Sequence, residues 1–416
     1  MQLGWVDYSR QEREIIKELL EILKDSSSVD ELGVGIVRDS ISDLLYPGTS
    51  VLHTRAKYYI LIPALFKKAM KSGFTTASEV RRLIDKDQYY IAQALRKSTD
   101  EETNSKPAGI IGGRSDKEVK MKPSRIYWNS MRTIGILYNP TLSYDDACSA
   151  VASYNKKKQN IELKRETEED GGDALDALQG AITIFRSPCF QSAEDYIKDY
   201  MANPTLNLTK DEAIYLKEQF LYMPIMKDTL MRYCLENEES LERVALGDLE
   251  ESPNMSPELK RRLMLAKEFS NFIFGAYIVY NLVFMGNGGD KATIDAREKF
   301  ETSYREWKES NQGLPHREEI LGLVSGHEYY KASLRAFLID FEKAVNENNT
   351  EICSDREKTL VRERERTCKK AKAKIGGDYL YAEIQTVPMN FRHWTAQRII
   401  SDILKGLKKD NGEKTI

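Results

Sequence analysis

The stretch Asp30-Glu-Leu-Gly-Val-Gly-Ile-Val-Arg-Asp-Ser-Ile-Ser-Asp-Leu-Leu-Tyr-Pro-Gly-Thr-Ser50, continued by Val51-Leu-His-Thr-Arg-Ala-Lys-Tyr-Tyr59, sets the architecture. Val34, Val37, Ile41 and Leu44 recur at helical spacing and make one apolar face over residues 34–45. Pro47-Gly48 stops that helix, and Thr49 or Ser50 is the expected cap of the next. A helical hairpin follows. Gly33 and Gly35 each cost about 1 kcal/mol inside a helix, so they mark a turn ahead of it or a close backbone approach.

The same periodicity runs along the chain. Ser9 with Glu12 reads as a capping box before the apolar stripe Ile15, Ile16, Leu19, Leu20 and Leu23. Thr209 with Glu212 repeats the device, and Ser143 with Asp146 is a looser version. Ser256-Pro257 opens a helix that runs to Met285 and ends at Gly286-Asn-Gly-Gly289. Further helices are expected near 50–71, 75–98, 124–136, 190–202, 290–310, 326–346, 355–375 and 392–409. Strand signals are confined to 181–185 and 379–387. The fold class is therefore mainly α: a multi-helix globular architecture with few or no short strands. The expected division is a helical domain over 1–154, a mobile charged loop over 155–176 and a second helical domain over 177–416.

The chain has 416 residues, of which 41% are hydrophobic, enough for a sizeable core and too apolar for disorder. Net charge is −3, so no global field points to nucleic acid. Residues 1–125 carry +3, 126–352 carry −12 and 353–416 carry +6. Basic ends flanking an acidic middle accommodate an anionic partner, or pair with that middle. Five scattered cysteines, none at Cys-x-x-Cys spacing, argue against a disulfide framework or a zinc site. No secretory h-region precedes the first helix, and the apolar run Phe269–Met285 carries Asn271 and Asn281, so it reads as a buried core helix rather than a membrane span. The expected compartment is a reducing cytoplasm.

Asp39 and Asp43 lie one turn apart on a face beside Ile36, which predicts a partly buried carboxylate pair. Such a pair needs a cation, a shared proton or several donors. Arg38 is adjacent but offset by about 100°. Arg55, returning after the turn, is the better partner. Two readings follow. One is a structural clasp of Asp39, Asp43 and Arg55 that pins the hairpin, which ion-pair logic prefers. The other is a catalytic or phosphate site using Asp39, Asp43, Arg55 and Arg38.

Other signals are weaker. Gly109-Ile-Ile-Gly-Gly-Arg114 resembles a phosphate cradle but lacks the Walker lysine spacing, so it reads as a loop. Trp5 and Asp7 read as a packing anchor and a turn residue; Arg125, Tyr127 and Trp128 read as core rather than as a base-stacking surface. Residues 355–374 hold nine basic and four acidic side chains. Arg362, Arg364, Arg366, Lys369, Lys370, Lys372 and Lys374 are the candidate contacts to nucleic-acid phosphates, against the plainer reading of a solvated face. The histidines, His53, His316, His327 and His393, show no metal spacing, and no nucleophile motif can be assembled. Neither a metal nor a cofactor is expected.

Gly4-Trp-x-Asp7, Asp30-Glu-Leu-Gly-x-Gly35, Arg38-Asp39-x-x-x-Asp43, Pro47-Gly-Thr-Ser50 and Thr54-Arg-Ala-Lys-Tyr58 together resemble an uncharacterised bacterial family, domain of unknown function 6361. The likeness continues through Gly109-Ile-Ile-Gly112, Pro123-Ser-x-Ile-Tyr-Trp128 and Gly135-Ile136, and returns at Phe391-Arg392 and Asp402-Ile-Leu-Lys-Gly-Leu407. His393-Trp394 departs from the family's usual tail. The resemblance brings no established reaction. It implies a setting: bacterial loci with helicases and phospholipase-D-like nucleases, as in phage-defence islands. The expected function is thus a non-enzymatic helical component of a nucleic-acid-linked, anti-phage multi-protein system. Its partners are other proteins of the locus, with DNA or RNA and without a membrane. The alternatives are a metal-dependent hydrolase or nuclease-like enzyme using Asp39, Asp43 and Arg55, and a purely structural scaffold.

Overall fold

The computed structural model describes residues 30–100, 104–113, 117–165, 183–186, 193–237, 246, 254–286, 291–326 and 332–409. Among the described residues fourteen α-helices occur and no strand. They are α1 (Gly35–Leu45), α2 (Tyr58–Ala69), α3 (Ala77–Lys97), α4 (Pro123–Thr133), α5 (Tyr144–Arg165), α6 (Ala193–Ala202) and α7 (Lys210–Tyr222). Then come α8 (Leu230–Glu236), α9 (Pro257–Met285), α10 (Lys291–Ser310), α11 (Arg317–Gly322), α12 (Ala332–Glu347), α13 (Asp355–Lys369) and α14 (His393–Leu407).

Side-chain caps set several of these starts. Thr76 with Glu79, Thr209 with Glu212 and Ser354 with Glu357 each form a reciprocal capping box. Ser256 Oγ accepts the Leu259 N–H at 3.2 Å, opening α9 at Pro257. Ser9 and Glu12 lie outside the described residues, as do Trp5, Asp7 and His327.

Three expectations change. Neither Thr49 nor Ser50 caps α2, which begins at Tyr58; Thr49 Oγ1 instead donates to Tyr46 O at 2.7 Å and closes the turn after α1. The charged loop expected over 155–176 is helical up to Arg165, as part of α5. The lysine run 156–158 disguised this, because beyond the buried Ala147, Cys148, Val151 and Ala152 the helix is held by polar contacts. The Asn155 amide donates to Ala69 O and Phe74 O at 3.0 and 2.8 Å, and Gln159 donates to Gly73 O at 2.7 Å. Finally, residues 379–387 form no strand. Asn281 of α9 stands in for a neighbouring strand: it donates to Ile384 O at 2.7 Å and accepts the Ile384 N–H at 2.9 Å. Leu137 opposite Phe185 is an isolated bridge within the region first read as a short strand.

The chain divides into two compact units, each assembled from separate stretches: one from 1–41 and 261–391, the other from 42–260 and 392–416. The division falls inside α1 and α9. In the first unit α9 supplies the core through Phe269, Phe272, Ile273, Ala276, Ile278 and Val279, all fully buried. Trp307 caps it by donating to Asn271 O at 2.7 Å. α9 is the described helix long and apolar enough to cross a membrane by length and composition, and 67% of its apolar window is buried within the protein. In the second unit Tyr59, Tyr127 and Phe220 pack edge to face, and Phe66, Trp128, Tyr144 and Phe185 form an adjoining aromatic cluster.

Candidate functional site

The segment Thr54–Tyr58 leads into α2 within the second unit, and its charged side chains have distant partners. Arg55 Nε donates to both oxygens of Asp402 on α14 at 3.0 and 2.9 Å. Its two terminal nitrogens donate to Ala108 O at 3.1 Å and to Asn207 Oδ1 at 3.0 Å. Asp402 also accepts the Ala56 N–H at 2.8 Å. Burial raises the Asp402 carboxyl above the usual range, and the Arg55 guanidinium opposes that rise. Lys57 Nζ donates to both oxygens of Glu212 on α7, at 2.8 and 2.6 Å, with both side chains about 5% exposed or less. Glu212 accepts a further bond from Tyr196 Oη at 2.7 Å, and the ammonium faces the rings of Tyr196 and Tyr200. Glu212 thus caps its own helix and neutralises a lysine 155 residues away.

Neighbouring backbone groups are held as tightly. Tyr127 Oη accepts the N–H groups of Thr54 and Arg55 at 2.8 and 3.1 Å and donates to Arg55 O at 2.9 Å, while burial pushes the phenol up to about 12. His53 stacks on Tyr127 with ring centroids 4.3 Å apart. Its Nδ1 accepts the Ser50 N–H at 3.2 Å, so the proton sits on Nε2, which donates to Ile126 O at 3.1 Å. Burial favours this neutral form and lowers the imidazole to about 4.

The Gly109–Gly112 loop belongs to the same assembly. Gly109 has φ +87°, and a Cβ there would sit 2.9 Å from Arg55 Cγ. The Ile111 N–H, which a phosphate cradle would present, donates to Tyr58 Oη at 2.9 Å. This loop is a brace for Arg55 and Tyr58.

The expected partly buried clasp of Asp39, Asp43 and Arg55 needs correction. The carboxylate bound by Arg55 is Asp402, 347 residues away. The side chains of Asp39 and Asp43 are 49% and 62% exposed, because Ile36 beside them does not cover that face of α1. Asp39 pairs with its neighbour Arg38 at 3.1 Å, the long guanidinium side chain spanning the angular offset. Asp43 pairs with Arg392 at 2.6 Å. Arg392 adopts a left-handed backbone, φ +65°, from which it also donates to Thr49 O at 2.8 Å.

The first unit consumes the other end of the quoted stretch. Tyr277 Oη donates to Asp30 at 2.6 Å, and Glu31 accepts from Lys369 and Lys374 at 2.6 and 3.2 Å. Arg364 Nε donates to Leu32 O at 2.7 Å, and its guanidinium lies over Phe337. Gly33 has φ +62°, and a Cβ there would lie 2.6 Å from Cys368 Sγ. Of the seven basic residues proposed for phosphate contact, Arg364 and Lys369 are therefore buried structural groups and Lys374 is tied to Glu31. Helix α13 turns these charges inward because Glu31 and the Leu32 carbonyl are waiting for them. Arg366, Lys370 and Lys372 are exposed and Arg362 is half-buried.

Among the described residues no group of three or more His, Cys, Asp or Glu side chains is placed to hold a metal ion. The two cavities between α2, α3 and the 111–123 segment have room for about one water each, near 10 Å³, against the roughly 300–1,000 Å³ of small-molecule sites. Sequence reasoning missed Asp402 and Glu212 as partners. Asp402 stood in a segment already singled out, and Glu212 had been assigned to capping alone.

No curated protein and no solved structure matches the chain. A family model described as "Family of unknown function (DUF6361)" matches residues 1–167, the part of the chain that contains Asp39, Asp43, the Thr54–Tyr58 segment and its glycine brace. Over residues 1–167 the chain is therefore similar to a family of unknown function.

Proposed function

We propose that the chain is a non-enzymatic helical component of a bacterial, nucleic-acid-linked multi-protein system of the anti-phage kind, acting with helicase- or nuclease-type proteins of its locus. One observation carries the non-enzymatic part: Arg55, Lys57, Asp30 and Glu31 of the family block are spent on internal pairs with Asp402, Glu212, Tyr277 and Lys369. A block built for chemistry keeps perturbed, accessible groups converging on a cleft. This block instead ties chain segments together. The nucleic-acid part rests on the family resemblance and on the exposed basic residues Arg366, Lys370 and Lys372 and the half-buried Arg362 of the α13 region.

The test is a phage challenge of cells carrying the whole locus. Deletion of this chain should abolish protection, whereas Asp39→Asn with Asp43→Asn should leave plaquing efficiency unchanged. Protection lost in that double variant, with an unaltered melting temperature, would favour the alternative of a metal-dependent hydrolase. A locus that never protects, with or without this chain, would remove the defence reading.

A further inference from the structure

Among the described residues, Arg186 of the second unit forms no ion pair with a carboxylate. Residues 136–138 and 184–186 run antiparallel for a single bridge: Tyr138 N–H donates to Ile184 O at 3.0 Å and Arg186 N–H to Ile136 O at 2.8 Å. Ile136, Leu137, Ile184 and Phe185 are buried, whereas Tyr138 after them is exposed and Arg186 half-buried. Tyr215 Oη fixes the Arg186 carbonyl from α7. Tyr222, the last residue of α7, completes the group. The Arg186 guanidinium lies 6.0 Å from the Tyr138 ring centre and 5.8 Å from that of Tyr222. Its Nε is buried without a hydrogen-bond partner, and among the described residues no acidic group pairs with it. Tyr138 and Tyr222 are 60% and 69% exposed.

A half-buried guanidinium that faces two open aromatic rings and has no anion is unusual. Buried polar groups are ordinarily satisfied, and large aromatics are ordinarily covered. Flat π faces stack on bases of any identity, and an unpaired guanidinium attracts a phosphate or stacks in turn. We infer that Tyr138, Arg186 and Tyr222 form a stacking platform for single-stranded nucleic acid, without base specificity. This rests on the nucleic-acid reading above but assigns the contact to a different place from α13. Glu218 lies one turn before Tyr222 on the same side of α7 and sets a limit on the affinity.

The experiment is fluorescence polarisation of the full chain with labelled oligo(dT), oligo(rU) and a duplex of the same length at low salt. The wild type should bind the single strands. Tyr138→Ala and Tyr222→Ala should each weaken that binding by about tenfold or more, with unchanged melting temperatures, and the Phe variants should restore it. Arg186→Gln should lower the salt slope by about 0.7. Ala variants that bind as tightly as wild type would overturn the platform while leaving the nucleic-acid reading intact. The same holds if charge reversal at Arg366, Lys370 and Lys372 alone removes binding. Retention of duplex only, or of no nucleic acid, would also overturn it. Loss of a protein partner of the locus on Tyr→Ala substitution, with single-strand binding unaffected, would overturn it in favour of a protein-docking surface.

Discussion

Two pairs of charged residues lie within twenty positions of each other and meet opposite fates. Asp39 and Asp43 stand half-exposed on α1, Asp39 against the equally exposed Arg38 and Asp43 against the largely covered Arg392. Arg55 and Lys57 lie at the start of α2 with side chains 15% and 4% exposed, each gripped through two oxygens by a buried carboxylate. Local spacing singles out the aspartates, because two like charges one turn apart demand an explanation. Solvent supplies that explanation at little cost. The basic residues of the Thr54–Tyr58 segment look ordinary in sequence, yet their partners at Asp402 and Glu212 join stretches 347 and 155 residues apart. A charge matters to the fold when its partner is distant and water is absent.

The comparison breaks most visibly in the buried pairs. Lys57→Met strands Glu212, and Arg55→Ala strands Asp402. Removing one partner of a buried pair costs about 3–5 kcal/mol, so both variants should unfold at much lower urea. Replacing Lys57 and Glu212 together by apolar residues should recover a large share of the loss, and a double-mutant cycle reads the coupling directly. If Lys57→Met unfolds at the wild-type urea concentration, the buried pair is not what joins α2 to α7.

His53 sharpens the same contrast through pH. Its folded pKa of about 4 lies below the unfolded value near 6.5. The unfolded chain therefore binds the proton first, and stability falls as pH drops through this window. Between pH 6.5 and 5 the loss is about 1.6 kcal/mol, and His53→Gln should flatten that part of the profile relative to wild type. An identical profile in the variant would show that His53 charges as readily folded as unfolded.

Gly33→Ala places a side chain in the left-handed region and against Cys368, which should cost about 1–3 kcal/mol, measured as a lower urea midpoint. A midpoint equal to wild type would mean that this turn is not held against α13. Smallest of all, Asp39→Ala and Asp43→Ala should each change stability by less than about 1 kcal/mol, since exposed ion pairs contribute little.

Much of the helical architecture was legible. The cap residues at Thr209 and Ser256 and the periodic apolar faces announce α7 and α9, and the breaker Pro47-Gly48 ends α1, because these signals act over a few residues. What escaped were features whose cause lies elsewhere in the chain. Residues 155–165 are helical because Asn155 and Gln159 reach carbonyls of the 69–74 turn. Residues 379–387 form no strand, and one asparagine, Asn281, takes both backbone groups of Ile384. Arg364 and Lys369 read as a solvated or phosphate-binding stripe until the Asp30–Gly33 turn docks on them. The candidate site followed the same rule: Arg55 was expected against Asp39 and Asp43, and its carboxylate is the distant Asp402.

The most direct measurement is the urea unfolding midpoint of Arg55→Ala beside that of the Asp39→Ala, Asp43→Ala double variant, by circular dichroism in one buffer. A large drop for Arg55→Ala and near-wild-type stability for the aspartate pair is the predicted result. Equal stability of the two, or a collapse confined to the aspartate variant, would contradict the assignment of the family block to architecture through Asp402.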